Sequence, residues 1–364
     1  MNVTDKILAP VLLDGKAYSV DKLLGHCEEQ LESPGIPMWR KDVLAFMAAF
    51  LDPELPELSQ QSSGTTGDPK SFTLDREAML NSARRTLDYF GLKRGERILL
   101  CLPVNYIAGK MMVVRALLGG LDLHVLEPSS RPVRNLEGSM RFAAMVPLQI
   151  EESLRHGDPL GNISRLLIGG GELHPATRDL LGKMSAPELF ESFGMTETYT
   201  HFALKRINGA RPDSHFRLLE GVQISTDSRQ CLEVEIGGVT SGKIPTNDLV
   251  EIRDGGKSFS WLGRFDNLIN TGGIKIIPEL LEEQIGHYLG HECLVLPEKD
   301  RKLGMRLVLL VEYEGEEPPL EAWGKLLRER LSSHEMPKRI LAVRSLPRNA
   351  SMKPDRTSSM DLLL

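Results

Sequence analysis

The chain contains no apolar run approaching the roughly 20 residues that a membrane-spanning helix needs, and its first residues lack the basic start and long apolar stretch of a secretory leader. A soluble protein without membrane insertion is the expectation. Cysteine is scarce: Cys27, Cys101, Cys231 and Cys293 stand far apart with no CxxC pair, so neither a zinc site nor a disulfide framework is indicated. A reducing cytoplasm suits that pattern. A basic excess is also missing. The net charge of -6 argues against nucleic acid or an anionic membrane as the main partner, so any anion must be held by a local site. No repeat or low-complexity tract stands out.

What is present is ordinary globular composition: 364 residues, 41% hydrophobic and 26% charged, enough for one large domain plus a smaller one. Apolar residues recur at helical spacing over Val20 to Leu31 and Trp39 to Leu51, and a further helix is expected from Arg76 to Leu92. Strand and helix patterns then alternate. Arg97 to Val104 reads as a buried strand, Ile107 to Leu118 as an apolar segment ended by Gly119 and Gly120, and Arg165 to Ile168 and Glu188 to Phe190 as strands running into glycine-bearing turns. Such alternation implies a mostly parallel sheet flanked by helices, with ligands at the carboxyl ends of its strands. Leu232 to Ile236 and Leu249 to Ile252 alternate apolar and charged residues, as antiparallel strands do. A turn-rich stretch after Trp261 precedes a helix from Glu279 to Leu289, a strand from Leu307 to Glu312 and a helix from Leu320 to Leu331. The change of character places a domain boundary near Asp266. The fold class is therefore α/β: a large N-terminal domain with mixed or parallel sheets and a β-rich part, then a small α+β domain.

Chemistry concentrates in a few segments. Ser62 to Lys70, SSGTTGDPK, packs hydroxyls and glycines so that backbone N–H groups and side chains can wrap phosphate oxygens, with Lys70 adding charge; a solvated polar turn has the same composition. Gly237 to Lys243, GGVTSGK, nearly matches a P-loop, but Ile244 stands where a magnesium-binding hydroxyl is required, so a hairpin turn is expected. His287 and His291 are four apart, but Gly290 interrupts the helix and no carboxylate accompanies them. Surface histidines are expected there.

In order along residues 60 to 356, these and further segments resemble the signatures of the adenylate-forming superfamily of acyl- and aryl-CoA synthetases, luciferases and peptide-synthetase adenylation domains. SSGTTGDPK is similar to its phosphate loop (Ser62, Ser63, Gly64, Thr65, Thr66, Gly67, Lys70). IGGGELHP resembles the adenine-site strand and turn (Gly170, Gly171, Glu172), and SFGMTET resembles YGMTE, with Phe193 keeping the ring face of the usual tyrosine beside Gly194 and Met195. The resemblance implies that Thr196 touches the α-phosphate and that Glu197 holds Mg2+, which prefers hard oxygen ligands. TNDL is similar to TGDL, which implies Asp248 on the ribose hydroxyls; Asn247 for glycine is tolerable because Asn also enters left-handed conformations. GRFDNLINTGGIKIIP is similar to the hinge signature, which implies Arg264 on ribose or phosphate, Asp266 as hinge, and Gly272 and Gly273 along a coenzyme A tunnel. LPRNASMKPDR resembles LPRTxxGKxxR, with Lys353 as the adenylation lysine and Met352 replacing glycine. The implied organisation is residues 1–265 for ATP and acid and residues 266–364 as a mobile domain. Because the phosphate loop starts at residue 62, the chain is read as a compact variant.

CLPVNYIAGKMMVVRALLGG and MVPLQI resemble segments of o-succinylbenzoate-CoA ligases of menaquinone synthesis, with Tyr106 where histidine is usual. Such an acid has a second carboxylate that needs a cation. Arg115 is the first candidate and Lys110 the next, unless both are helix-surface cations. ATP, Mg2+ and coenzyme A are the implied cofactor and substrates, a homodimer is possible, and three alternatives stand beside this reading: another aryl- or acyl-CoA ligase, an enzyme loading a carrier protein, and a non-catalytic nucleotide-binding relative.

Overall fold

The computed structural model describes residues 3–7, 9–55, 57–61, 71–348 and 354–363. They fall into two compact units, one of Met1–Gly171, Leu181–Gln223 and Val234–Ile244, the other of Glu172–Leu180, Ile224–Glu233 and Pro245–Leu364. Among the described residues no helix is long and apolar enough to cross a membrane, and all four cysteines are buried thiols.

In the first unit the hairpin Val11–Leu13 (β1) and Lys16–Tyr18 (β2) precedes two helices, Val20–Glu32 (α1) and Met38–Leu51 (α2). The Ser19 hydroxyl caps α1 by accepting from Lys22 N. Leu58–Gln61 (β3) pairs with Ser71–Leu74 (β4), and Asp75 caps Arg76–Phe90 (α3), which ends on Gly91 at φ +54°. Then come Arg97–Leu100 (β5), Ile107–Gly119 (α4), Asp122–Val125 (β6), Met140–Met145 (β7), Pro147–His156 (α5), Ile163–Ile168 (β8), Pro175–Gly182 (α6), of which the part up to Leu180 belongs to the second unit, Glu188–Gly194 (β9), His201–Arg206 (β10) and Phe216–Leu218 (β11). The sheet runs β2-β1-β6-β5-β7-β8-β9-β10-β11. Its centre, β1 to β9, is parallel and its edges antiparallel, so the sheet is mixed.

Helix α4 is apolar almost all round, and Met111 to Leu118 is buried without a break. A helix of that kind belongs inside a core rather than on its surface. β5 stops at Leu100, short of the expected Val104, because Pro103 has no N–H for the ladder and its carbonyl instead accepts from Tyr106 N. β9 continues beyond Phe190 to Gly194, since β10 takes up the backbone groups of Glu191, Ser192 and Phe193.

Val222–Thr226 (β12) and Cys231–Ile236 (β13) follow, and 237–243 is the turn expected in place of a P-loop. In the second unit Ile244–Arg253 (β14) pairs antiparallel with Ser258–Arg264 (β15). The stretch read as turn-rich contains a hairpin, Ile269–Thr271 (β16) and Ile274–Ile276 (β17), closed by Gly272 and Gly273 at φ +58° and +85°. Two consecutive positive φ angles are what a two-residue hairpin loop matching strand twist demands. Pro278–Leu289 (α7), Cys293–Asp300 (β18), Gly304–Glu312 (β19), Leu320–Arg330 (α8), Arg339–Val343 (β20) and Arg356–Met360 (α9) complete the unit. The sheet runs β17-β16-β19-β18 with β20 also on β19. Leu307, Leu309 and Val311 of β19 face one cluster with Trp323 and Leu327, while Val308 and Leu310 face another with Leu346 and Leu363. The period of two thus places apolar groups on both faces.

Gly109 in α4 lies against the β5–α4 connection: a Cβ there would sit 2.3 Å from Pro103 O and 2.6 Å from its carbonyl carbon. Helix propensity favours alanine by about 1 kcal/mol, but overpacking costs about 1–3 kcal/mol. Gly109→Ala is therefore expected to destabilise, measured as a lower urea midpoint with unchanged m-value.

Candidate active site

The carboxyl ends of β7, β8 and β9 lie side by side, and the glycine-bearing motifs emerge from two of them. Gly169 follows β8; a Cβ on it would stand 2.3 Å from Ser192 Oγ, which donates to Ile168 O at 3.0 Å. Gly170 has φ +81° and turns the chain past Val146 at the end of β7. At the end of β9, Phe193 packs edge-on against Phe202 and Phe216, with centroids 5.7 and 5.4 Å away. Gly194 faces β10 so closely that a Cβ would meet Thr200 O at 2.4 Å and His201 Cα at 2.5 Å. After Met195, Thr196 to Thr198 form one tight turn, held by Thr198 Oγ1, which accepts from Met195 N (3.1 Å) and donates to Thr200 O (2.8 Å). The turn leaves Thr196 half-buried and Glu197 exposed at the carboxyl edge of the sheet. Gly170, Gly171, Phe193, Gly194, Met195, Thr196 and Glu197 are thereby gathered on one edge, while Glu172 belongs to the second unit.

Beside this edge sits an uncompensated cation. Arg115 is 1% exposed, and burial pushes its guanidinium down from the usual arginine range to about 9, still charged at neutral pH. Nη2 donates to Thr200 Oγ1 at 2.9 Å, and among the described residues Nη1 meets only the weak acceptor Met112 Sδ and Nε has no partner. Among the described residues no carboxylate lies within ion-pair distance of it. Because Thr200 Oγ1 accepts from Arg115, its own hydrogen is available to His201 Nδ1 at 3.2 Å, which leaves the His201 proton on Nε2, facing Thr86 Oγ1 at 3.4 Å. Burial first, and then the Arg115 charge, hold His201 well below its ordinary range, so it stays neutral. The reading of Arg115 as a helix-surface cation is thus corrected. Lys110 is half-buried with its ammonium 5.6 Å from the Phe46 ring, and burial lowers its pKa. At about 100° per residue it points roughly 140° away from Arg115. Tyr106, at the N-cap of α4, is 44% exposed.

In the second unit Asp248 stands directly across the β14–β15 ladder from Arg264, and Trp261 Nε1 donates to Asp248 Oδ1 at 3.0 Å. Arg264 Nη2 bonds Asp266 Oδ2 at 3.0 Å. The Asn247 amide donates to both Asp266 oxygens, at 3.1 and 2.9 Å, and its carbonyl accepts from Arg229 Nη1 at 2.9 Å. Asn247 therefore needs no left-handed backbone: it lies in strand β14, and its side chain ties Arg229 to Asp266. His287 is exposed, as expected, but His291 is half-buried, edge-on to Tyr313 and Trp323, because Gly290 turns the chain back onto the core. The phosphate loop, Ser62, Ser63, Gly64, Thr65, Thr66, Gly67 and Lys70, and also Lys353, lie outside the described residues.

Residues 9–226, more than half of the chain, match the model of the AMP-binding enzyme family. The chain belongs to that family. A solved acyl-CoA synthetase (AMP-forming)/AMP-acid ligase II-like protein from Dyadobacter fermentans is 33% identical, with 93% of this chain and 97% of that one covered and a TM-score of 0.61. A probable 2-succinylbenzoate–CoA ligase from Mycobacterium tuberculosis is 29% identical over 82% of each chain. The o-succinylbenzoate CoA synthetase of Bacillus subtilis, solved with its acyl-adenylate intermediate, is 16% identical and shares the fold at a TM-score of 0.76, covering 96% of this chain and 95% of its own.

For an AMP-binding enzyme the observed groups suit ATP with Mg2+. Among the described residues no cluster of three or more His, Cys, Asp or Glu could enclose an ion unaided. Mg2+ needs none, since it takes one or two carboxylates and completes its shell with phosphate oxygens and water, and Glu197 offers such a carboxylate. Sequence reasoning missed Thr200, His201 and Thr86, which surround Arg115, and Trp261, which orients Asp248. None carries a motif of its own; only the sheet order brings them in. Trp261→Phe keeps the ring but removes the donor to Asp248, a charge-assisted bond worth about 1.5–3 kcal/mol. The KM for ATP is expected to rise about tenfold with kcat nearly unchanged, measured by pyrophosphate release.

Proposed function

We propose that this AMP-binding enzyme is an ATP-dependent 2-succinylbenzoate–CoA ligase. The observation that carries the reading is Arg115: a guanidinium buried in α4 without a carboxylate among the described residues, bonded to Thr200 four residues after Thr196. Leaving a charge unpaired in a core costs several kcal/mol. A substrate with a second carboxylate supplies the missing anion, and the relatives named for 2-succinylbenzoate support that choice.

In the proposed reaction a carboxylate oxygen of the acid attacks the α-phosphorus of ATP, the bond to the β-phosphate breaks, and pyrophosphate leaves with an acyl-adenylate remaining. Charge grows on the phosphoryl oxygens, where Thr196, the Ser62 to Lys70 loop and Lys353 would donate. Mg2+ at Glu197 would neutralise phosphate charge. Gly170, Gly171 and Phe193 would bound the adenine, and Asp248 and Arg264 would hold the ribose. Rotation of residues 266–364 about Asp266 would then withdraw Lys353 and bring the Gly272–Gly273 turn to the site. The coenzyme A sulfur attacks the acyl carbon, AMP leaves, and the thiol proton passes to solvent. The turn itself requires both glycines whatever else it faces.

Pyrophosphate release with 2-succinylbenzoate, with and without coenzyme A, and against monocarboxylic acids, tests the reading; equal rates for all acids would refute the assignment. Lys353→Ala is expected to slow adenylate formation by roughly 100-fold or more while sparing transfer from a supplied acyl-adenylate. Arg115→Met is expected to raise the KM for 2-succinylbenzoate about 10- to 100-fold, yet to raise the melting temperature by about 2–4 °C, because the variant buries no unpaired charge. An unchanged KM would remove Arg115 from the pocket.

A further inference from the structure

The turn between β12 and β13 carries an arginine that lies outside every motif read from the sequence. Residues 224–233 form part of the second unit. Asp227 fixes the turn: its Oδ1 accepts from the backbone N–H groups of Arg229 at 2.8 Å and Cys231 at 2.9 Å, while Oδ2 takes Arg229 Nε at 2.8 Å. The guanidinium so aimed reaches three further groups. Nη1 donates to Asn247 Oδ1 at 2.9 Å, Nη2 donates to Thr246 O at 3.2 Å, and the guanidinium carbon lies 5.1 Å from the centre of the Phe265 ring. Arg229 thus grips the two residues before Asp248 and the residue between Arg264 and Asp266.

The link continues through Asn247. A guanidinium can only donate and a carboxylate can only accept, so the Asn247 amide must turn its oxygen to Arg229 and its nitrogen to Asp266. Asp266 Oδ2 in turn takes Arg264 Nη2 at 3.0 Å, and among the described residues Asp266 is the one acceptor that side chain has. Each of these bonds is partly open to water and worth little alone. A planar fork holding several acceptors at once, over an aromatic ring, fixes direction as well as distance. We propose that Arg229 and Asn247 are positioning residues for nucleotide binding: they set the spacing between the Asp248 carboxylate and the Arg264 guanidinium, while Trp261 holds the Asp248 carboxylate itself. The proposal rests on the reading of Asp248 and Arg264 as the pair that holds the ribose. Neither Arg229 nor Asn247 touches the nucleotide in this scheme.

The test reads the ribose directly, as binding of ATP and of 2′,3′-dideoxy-ATP to the full chain by titration calorimetry. The parent chain is expected to bind ATP roughly 100-fold more tightly than the analogue without hydroxyls, the scale of one or two charge-assisted bonds. Arg229→Lys keeps the charge and loses the fork; Asn247→Leu keeps the bulk and loses the amide. In each variant the preference for ATP should fall about tenfold, with the Kd for the dideoxy analogue unchanged. The double variant should lose no more than Arg229→Lys alone, because the two residues act in series. A preference undiminished in the variants, an equal weakening of both nucleotides, or losses that add would overturn the proposal. Where Arg229→Lys fails to fold, Asn247→Leu cuts the same chain at its second link and decides alone. A parent chain that binds both nucleotides equally would instead end the ribose assignment of Asp248 and Arg264, and the proposal with it.

Discussion

One positive charge inside the first unit, without a carboxylate partner among the described residues, organises much of what surrounds it. Arg115 can be held in the middle of a buried helix only because Thr200 and, through it, His201 and Thr86 supply a directional chain of polar groups. The chain satisfies Nη2 but, among the described residues, brings no negative charge, so the site remains electrically unfinished there. Such a group weakens the folded state by itself, and its retention is understandable where binding an anion matters more than stability. It bonds Thr200, just before the strand that follows the Thr196 to Thr198 turn, so that in the proposed reading recognition of the distal end of the acid and activation of its reacting end share one strand junction.

Close backbone approach is the second organising condition. Gly169 and Gly194 sit where a methyl group would collide with Ser192 and with the β10 backbone. The turn after β8 is therefore held against the Ser192 hydroxyl of β9, and the end of β9 against the β10 backbone. Main chain and one aromatic ring, Phe193, thereby meet at this edge, the kind of surface the proposed adenine site would use.

Much of this was legible in the residues. The alternation between Arg97 and Phe190 announced a parallel sheet, and the order of the glycine-bearing motifs announced the adenylating family before any coordinate was known. What sequence could not show were partners made by topology. Trp261 and Asp248 are 13 residues apart and meet only because β14 and β15 pair; His201 and Thr86 are 115 apart and meet because α3 packs beneath β10. Local rules also misled in places. Pro297 hid β18, since a proline inside a strand usually argues against one, and Asn247 invited a backbone explanation when its amide was the point. For Arg115, the first candidate to meet a second carboxylate, the alternative of a helix-surface cation stood open because a charge in an apolar helix is rarely given so complete a burial.

The sheet of the second unit carries apolar groups on both faces, with β19 as its spine. A slab built this way stores its cohesion internally and asks little of whatever it touches. Asp266, the proposed pivot, accepts from Asn247 and Arg264 in water-accessible bonds. Water replaces such bonds at small net cost. A pivot held by such bonds, as proposed, leaves the choice of orientation to the ligand present at each moment rather than to the protein.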